Sequence, residues 1–389
     1  MERIYLDHNA TTPLSPEARA AMEPFLGQGG NPSSVDAEGR QARGAVDDAR
    51  DRVAALLGAR PGEIVFTSGG TESANLALRG LARAHATKGR HLVTAATEHH
   101  AVLETLEALG KEGFEPTILP VDAAGRVDPA AFAAALRPDT VLASVMTANN
   151  ETGTRQPVAA LAALAAARGV LFHTDAVQSA GKEALPNLKS GLAALSLTAH
   201  KFSGPVGAGI LWLRGGLPLE KIAHGGAQEN ARRPGTENVA AIVGLAEALA
   251  QAEASRAAEA PRQAALVEAL WNGLRGLPGA RRNTPDDPAL HLGNTLNVSF
   301  GEGGLDGEEL LIALDLAGLA VSSGSACLVG SIQPSHVLRA MGVPDAAARA
   351  TVRFSLGHGT TAAQVGEAAR RTAAVVERQA ALASRNRHP

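Results

Sequence analysis

Lys201 lies in the segment Ser196-Leu197-Thr198-Ala199-His200-Lys201-Phe202-Ser203-Gly204-Pro205, and it is one of only six lysines among 36 basic residues. In a chain that otherwise uses arginine, a lysine kept in a small, glycine-bounded turn is a candidate for amine chemistry that a guanidinium cannot perform. The chemistry that fits best is a Schiff base with pyridoxal phosphate. An ordinary solvated surface lysine is the competing reading of this segment taken alone. Upstream, Val170-Leu171-Phe172-His173-Thr174-Asp175 is an apolar run that delivers a carboxylate to the end of a predicted buried strand. Ligands bind at that edge of open α/β sheets. A carboxylate there could keep a pyridine nitrogen protonated, so Asp175 is the candidate partner of the ring. A cap at the start of a following helix is the alternative role for the same residue.

Two further segments carry candidate chemistry. Ile64-Val65-Phe66-Thr67-Ser68-Gly69-Gly70-Thr71-Glu72 reads as a strand that breaks into glycines and then a helix. Backbone amides at such a helix start, helped by Thr71, can hold a phosphate dianion, although a simple cap and turn would look the same. The segment lacks the Gly-Lys-Ser/Thr ending of a nucleotide loop and the spacing of a dinucleotide fingerprint, which favours a phosphate on a cofactor over ATP or NAD. Cys327 is the only cysteine, which excludes an internal disulfide, a dithiol relay and a cysteine-rich zinc site. A lone cysteine is commonly a buried small hydrophobe. Here it lies in Ser322-Ser323-Gly324-Ser325-Ala326-Cys327-Leu328-Val329-Gly330-Ser331, a composition that suits an accessible loop and a nucleophilic thiol.

These residues, with Tyr5-Leu6-Asp7-His8-Asn9-Ala10-Thr11-Thr12-Pro13, Ala96-Thr97-Glu98-His99-His100, Asn149-Asn150-Glu151-Thr152-Gly153, Arg233-Pro234-Gly235-Thr236 and Arg353-Phe354-Ser355-Leu356-Gly357, carry a resemblance that runs almost end to end. The chain resembles the NifS/IscS-like cysteine desulfurases, within the class V aminotransferase family of pyridoxal phosphate enzymes. The resemblance implies that Lys201 holds the cofactor and shuttles a proton, that His99 stacks on the ring as an acid/base group, and that Gln178 donates to the ring's phenolic oxygen. His99 could also be an ordinary histidine, as its neighbour His100 could. Asn150 would help to hold that oxygen or the substrate carboxylate. Gly70, Thr71, Thr198 and His200 would cradle the phosphate, Thr236 would reach the phosphate of a neighbouring subunit, and Arg353 would grip the substrate carboxylate. Cys327 would take sulfur from L-cysteine as a persulfide, release L-alanine, and pass the sulfur to an acceptor such as an iron-sulfur scaffold. Relatives often carry a second arginine shortly after Ser-Leu-Gly, where this chain has Gly357-His358-Gly359. They commonly have small polar residues at Leu328-Val329.

The elements needed to position these groups are legible as well. Strand-like runs alternate with alanine-rich helical stretches from Ile64 to about Trp212, the pattern of a parallel, helix-covered sheet. Residues 36 to 57 and 70 to 87 are predicted as helices, and Leu92 to Ala95, Val141 to Met146 and Val170 to Thr174 as strands. A long helix is predicted from about Glu237 to Leu274, and a loop over 278 to 293. The expected fold is the α/β architecture of fold-type I pyridoxal phosphate transferases, a mostly parallel central sheet covered by helices plus a smaller α+β domain. The expected large domain is 15–255, and 1–14 with 256–389 form the small domain that carries the cysteine loop.

Composition sets the outer bounds. A chain of 389 residues, 45% hydrophobic, can bury a large core divided between domains. No apolar run of about 18 residues predicts a membrane span, and the start lacks a signal peptide's features. With one cysteine, the chain suits the cytoplasm. A net charge of −3 and 3% aromatic residues give no general basis for nucleic-acid binding. A homodimer is expected from the role implied for Thr236. The rival readings are another class V activity (an aminotransferase, a kynureninase-like lyase or a selenocysteine lyase) and a catalytically idle partner-binding scaffold.

Overall fold

The computed structural model describes residues 2–27, 29–301, 305–323 and 334–386, with side chains to 383. Cys327, and with it the loop assigned to sulfur transfer, lies outside the described residues. The chain opens with a short strand, β1 (Ile4–Tyr5). Seven strands then build the main sheet: β2 (Ile64–Thr67), β3 (His91–Ala95), β4 (Glu115–Leu119), β5 (Thr140–Ser144), β6 (Leu171–Asp175), β7 (Ala194–Thr198) and β8 (Gly209–Leu213). Their spatial order is β2-β8-β7-β6-β5-β3-β4. From β7 through β4 the neighbours are parallel, and β8 runs antiparallel to both β7 and β2. Four of the central strands are buried on both faces, which is why their sequences read as continuous apolar runs rather than alternating ones.

The second sheet follows, with β9 (Arg281–Arg282), β10 (Thr295–Ser299) and β12 (Thr351–Ser355) in the order β12-β10-β9, while β11 (Leu319–Ala320) pairs in parallel with β1. Helix Val239–Leu274 belongs to both halves. Its first part, including Ala241, Leu245 and Leu249, packs into the core beneath the seven-stranded sheet. Its last part, Val267, Leu270 and Leu274, joins the core shared by Leu296, Val298, Val352 and Phe354. Pro261 falls between the two stretches.

The helix predicted to start at residue 70 runs from Gly70 to Ala84, three residues shorter than the sequence pattern suggested, because His85 closes it by capping the carbonyls of the last turn. The 278–293 region holds β9 and a single helical turn at Pro288–Leu290. Among the described residues, no helix is long and apolar enough to cross a membrane.

Candidate active site

Three strand ends converge on the site. β6 terminates in Asp175, which is buried at the carboxyl edge of the sheet, as its apolar approach predicts. Its Oδ1 accepts the backbone N–H of Val177 at 2.9 Å and so ties down the turn after β6; among the described residues no helix lies between β6 and β7 for it to cap, and Oδ2 is left available. Burial raises its proton affinity, against the lowering influence of His99, the Val177 amide and Lys201.

The adjacent strand β7 ends at Thr198 and turns through Ala199–Lys201. Lys201 Nζ donates to the backbone oxygens of Asn9 and Ala10, at 2.6 and 2.7 Å. Burial first, then the positive charge of Arg353, pushes its pKa down to about 8, while Asp175 and Asp7 oppose the shift. This suits an amine that must be partly unprotonated near neutral pH. His200 Nδ1 lies 3.2 Å from Thr11 Oγ1, and burial beside Lys201 brings its pKa down to about 4, so the ring is neutral. Backbone bonds from Thr12 and Ser15 to the oxygens of His200 and Ser203 clamp this turn to the N-terminal segment.

His99 is the cap of helix His100–Lys111. Its Nδ1 accepts the N–H of Ala101 at 3.1 Å, which places the ring proton of the neutral form on Nε2. Burial lowers its pKa; Asp175 opposes this and Lys201 reinforces it. Asp175 and Lys201 thus lie close enough to His99 for their charges to shift its proton affinity, and His99 and Lys201 do the same to Asp175.

At the start of helix Gly70–Ala84, the first-turn N–H groups have no intrahelical acceptor. A Cβ on Gly70 would lie 2.7 Å from Val177 Cγ2 and 3.7 Å from Thr198 Cβ. The glycine is thus required for the helix start to approach the ends of β6 and β7. Thr71 sits exposed in the first turn, and Thr198 donates its hydroxyl to Ala208 O at 3.2 Å.

Arg353, on β12, is 3% exposed. Its Nη2 donates to Asp7 Oδ1 at 2.7 Å and its Nη1 to Asn150 O at 3.1 Å, while the buried Nε has no partner. The family resemblance implies a substrate role for Arg353; the structure adds an internal counter-ion, Asp7, from the opposite end of the chain. Asn150 contributes its backbone oxygen to this arrangement and to Asn9 Nδ2, at 3.1 Å. Its turn depends on Gly153, whose φ of +75° is left-handed and whose N–H bonds to Asn149 O at 3.0 Å.

Gln178 turns its amide nitrogen to Asn9 O, at 3.2 Å. Thr236 stands apart from the rest: it is exposed, in a segment tied to helix Gly70–Ala84 by the Arg233–Glu72 ion pair at 2.9 Å. Among the described residues, no hydrogen bond joins its side chain to Gly70, Thr71, Thr198 or His200.

Sequence reasoning missed Asp7, Asn9 and Lys182. Asn9 is almost wholly buried and hydrogen-bonds to Thr295, Asn294 and Lys182 through its side chain. The scarcity of lysine, which drew attention to Lys201, applied equally to Lys182.

Comparison with known proteins agrees with this geometry. The family model described as Aminotransferase class-V matches residues 4–367. Cysteine desulfurase IscS of Dictyoglomus turgidum is 46% identical over 365 residues, covering 92% of this chain and 90% of the relative. Cysteine desulfurase of Cereibacter sphaeroides is 47% identical over 369 residues, 94% of this chain and 93% of the relative. Among solved structures, a NifS-like protein superposes with a TM-score of 0.90 at 36% identity, over 96% of this chain and 99% of its own. A structure described as SspA in complex with cysteine has a TM-score of 0.80 at 36% identity, over 90% of this chain and 98% of its own. Matches of that identity and length, on a site built as above, mean that the chain belongs to the class-V aminotransferase family, on its NifS/IscS-like cysteine desulfurase branch.

Proposed function

We propose that the protein takes sulfur from L-cysteine, leaving L-alanine and a persulfide on Cys327, with pyridoxal phosphate held by Lys201. The observation that carries this reading is the convergence of an amine with a pKa of about 8, a buried sheet-edge carboxylate and a neutral-leaning histidine. The residues fit the cofactor. Asp175 keeps one oxygen free for a ring N–H, Gly70 leaves room where a Cβ would collide, and the unpaired amides of Gly70 and Thr71 suit a phosphate. His200 would join them as a neutral hydrogen-bonding group, and Thr198 once its hydroxyl rotates away from Ala208. When bound, pyridoxal phosphate supplies an electron sink for charge at the carbon bearing the substrate's amino group.

The chain's own groups do the rest. Lys201 holds the cofactor through its amine and, once free, moves the proton of the substrate's Cα. His99, with its proton on Nε2, would serve as a further acid/base group of the site. Arg353 offers its unpartnered Nε and remaining N–H groups to the substrate carboxylate, with Asp7 and the Asn150 carbonyl fixing the plane of the guanidinium. In the transfer itself, the C–S bond of L-cysteine breaks and an S–S bond to Cys327 forms; the methyl carbon of alanine gains a hydrogen in place of the sulfur. Because Cys327 is the only cysteine, the sulfur must leave to an acceptor outside the chain, an iron-sulfur scaffold or thiolation protein being the class expected from the IscS relatives.

The exposure of Thr236, away from its own cradle, supports a homodimer in which it serves the partner's phosphate site. The change of core along helix Val239–Leu274 supports a division near residue 255, with residues 1–14 joining the C-terminal part.

Borohydride reduction of the purified holoenzyme, followed by peptide mapping, tests the assignment. The reduced cofactor should be found on Lys201 and be lost in Lys201→Ala. Its recovery on any of the other five lysines would overturn it.

A further inference from the structure

Lys182 follows β6 by a short turn, four residues after Gln178. Its ammonium donates to two side-chain amide oxygens, Gln178 Oε1 at 3.0 Å and Asn9 Oδ1 at 3.2 Å. In its protonated form, which prevails below its pKa of about 7, the group has no acceptor, so both amides then present oxygen to it and turn their NH2 groups away. For Gln178, the nitrogen then meets the Asn9 carbonyl oxygen at 3.2 Å. For Asn9, the nitrogen meets Thr295 Oγ1 at 2.8 Å and the Asn150 carbonyl oxygen at 3.1 Å, while its oxygen also takes an N–H from Asn294 at 3.0 Å. The same Asn9 carbonyl receives Lys201 Nζ. One lysine therefore sets the direction of two amides, each nearly isosteric with its flipped form, and links them to the amine of the site.

We propose that Lys182 is a positioning residue: it holds the amide of Gln178 with its nitrogen on the Asn9 carbonyl, where its second N–H remains to donate, and, through Asn9, fixes the N-terminal segment against Lys201. The inference rests on the functional reading above, in which Gln178 donates to the cofactor's phenolic oxygen.

The electrostatics of the site support a retained function for this cation. Lys182 shares the site with two other cations, Lys201 and Arg353, and with Glu183, which favours its charge. Burial and the two cations push its pKa down to about 7. Asp7 and Asp175 act on the neighbouring Lys201, and His8, whose own pKa falls to about 4 through burial and Lys182, lies with Lys182 on the wall of a cavity that also reaches Lys201. A lysine serving only to fill space would be replaced without loss by an apolar side chain of the same length, since burying an ammonium is costly.

A pH titration of the visible absorption band of the holoenzyme tests the proposal, with wild type, Lys182→Met, Gln178→Ala and the double variant compared. Removing Lys182 takes away both a nearby positive charge and the oriented donor that stabilise a negative phenolic oxygen. The band's titration midpoint should therefore rise by about one pH unit, the larger share coming from the lost orientation of the Gln178 donor and the remainder from the lost charge. In the Gln178→Ala background the same change should shift the midpoint by less than half as much, because the path through the amide is already gone. An unshifted midpoint in Lys182→Met, or an equal shift in both backgrounds, would overturn the inference. Should Lys182→Met not fold, Lys182→Gln separates the two contributions: its N–H can still orient the amide, so the midpoint should rise by less than about half a unit, and a full-unit rise would overturn the inference. A wild-type protein with no Lys201-linked band would overturn the functional reading and this inference together; a normal wild-type band with no dependence on Lys182 overturns this inference alone.

Discussion

At the scale of single residues, the site works by balancing buried charges. Arg353, proposed above to hold the substrate carboxylate, is nearly inaccessible, and Asp7 occupies one side of its fork at 2.7 Å. Asp7→Asn keeps the shape but weakens the bond that orients the guanidinium. The KM for L-cysteine should rise about tenfold, in line with the ~1.5 kcal/mol of a hydrogen bond to a charged group, and kcat should change much less. Steady-state kinetics of the folded variant check this; a lower KM would mean that Asp7 competes with the substrate instead. His99 gives a second expectation. Burial lowers its pKa, so its neutral form persists to more acid pH than for a free histidine. The acid limb of the rate that depends on His99 should therefore lie below about pH 6.5, the ordinary histidine value. A limb at or above that value which vanishes in His99→Gln would contradict the assignment.

At the scale of elements, glycines and strand ends do the positioning. The start of helix Gly70–Ala84 reaches β6 and β7 only because residue 70 has no side chain. Gly70→Ala should force Val177 to move and weaken cofactor binding about tenfold, while alanine's better helix propensity recovers part of the stability. Cofactor titration of the apoprotein measures this, and unchanged affinity would remove Gly70 from the cradle. The strands and helices around Lys201 and Asp175 were readable because each motif is local: an apolar run, then a polar residue at the sheet edge. Asn9 and Asp7 were not readable as site residues. Asn9 acts on Lys182, Thr295 and Lys201, and Asp7 on Arg353, so their partners lie 173 to 346 residues away. Their segment is one of the motifs that carry the family resemblance, but nothing within it tells which distant side chains Asp7 and Asn9 meet.

At the scale of the whole molecule, two cores joined by one helix bring Arg353 of the second sheet against Asp7 and Asn150, beside the edge of the first sheet. In the function proposed above, Lys201 activates the amino acid, and release of sulfur, as opposed to transamination or another lyase reaction, rests on the single thiol. Cys327→Ser is therefore the most direct test. The variant should still bind the cofactor and show the spectral change on adding L-cysteine, since Lys201, Asp175 and Arg353 are intact. It should form neither alanine nor protein-bound persulfide, because a hydroxyl at its ordinary proton affinity is a poor nucleophile toward sulfur. Alanine production near the wild-type rate by a folded, cofactor-loaded Cys327→Ser protein would contradict the desulfurase mechanism.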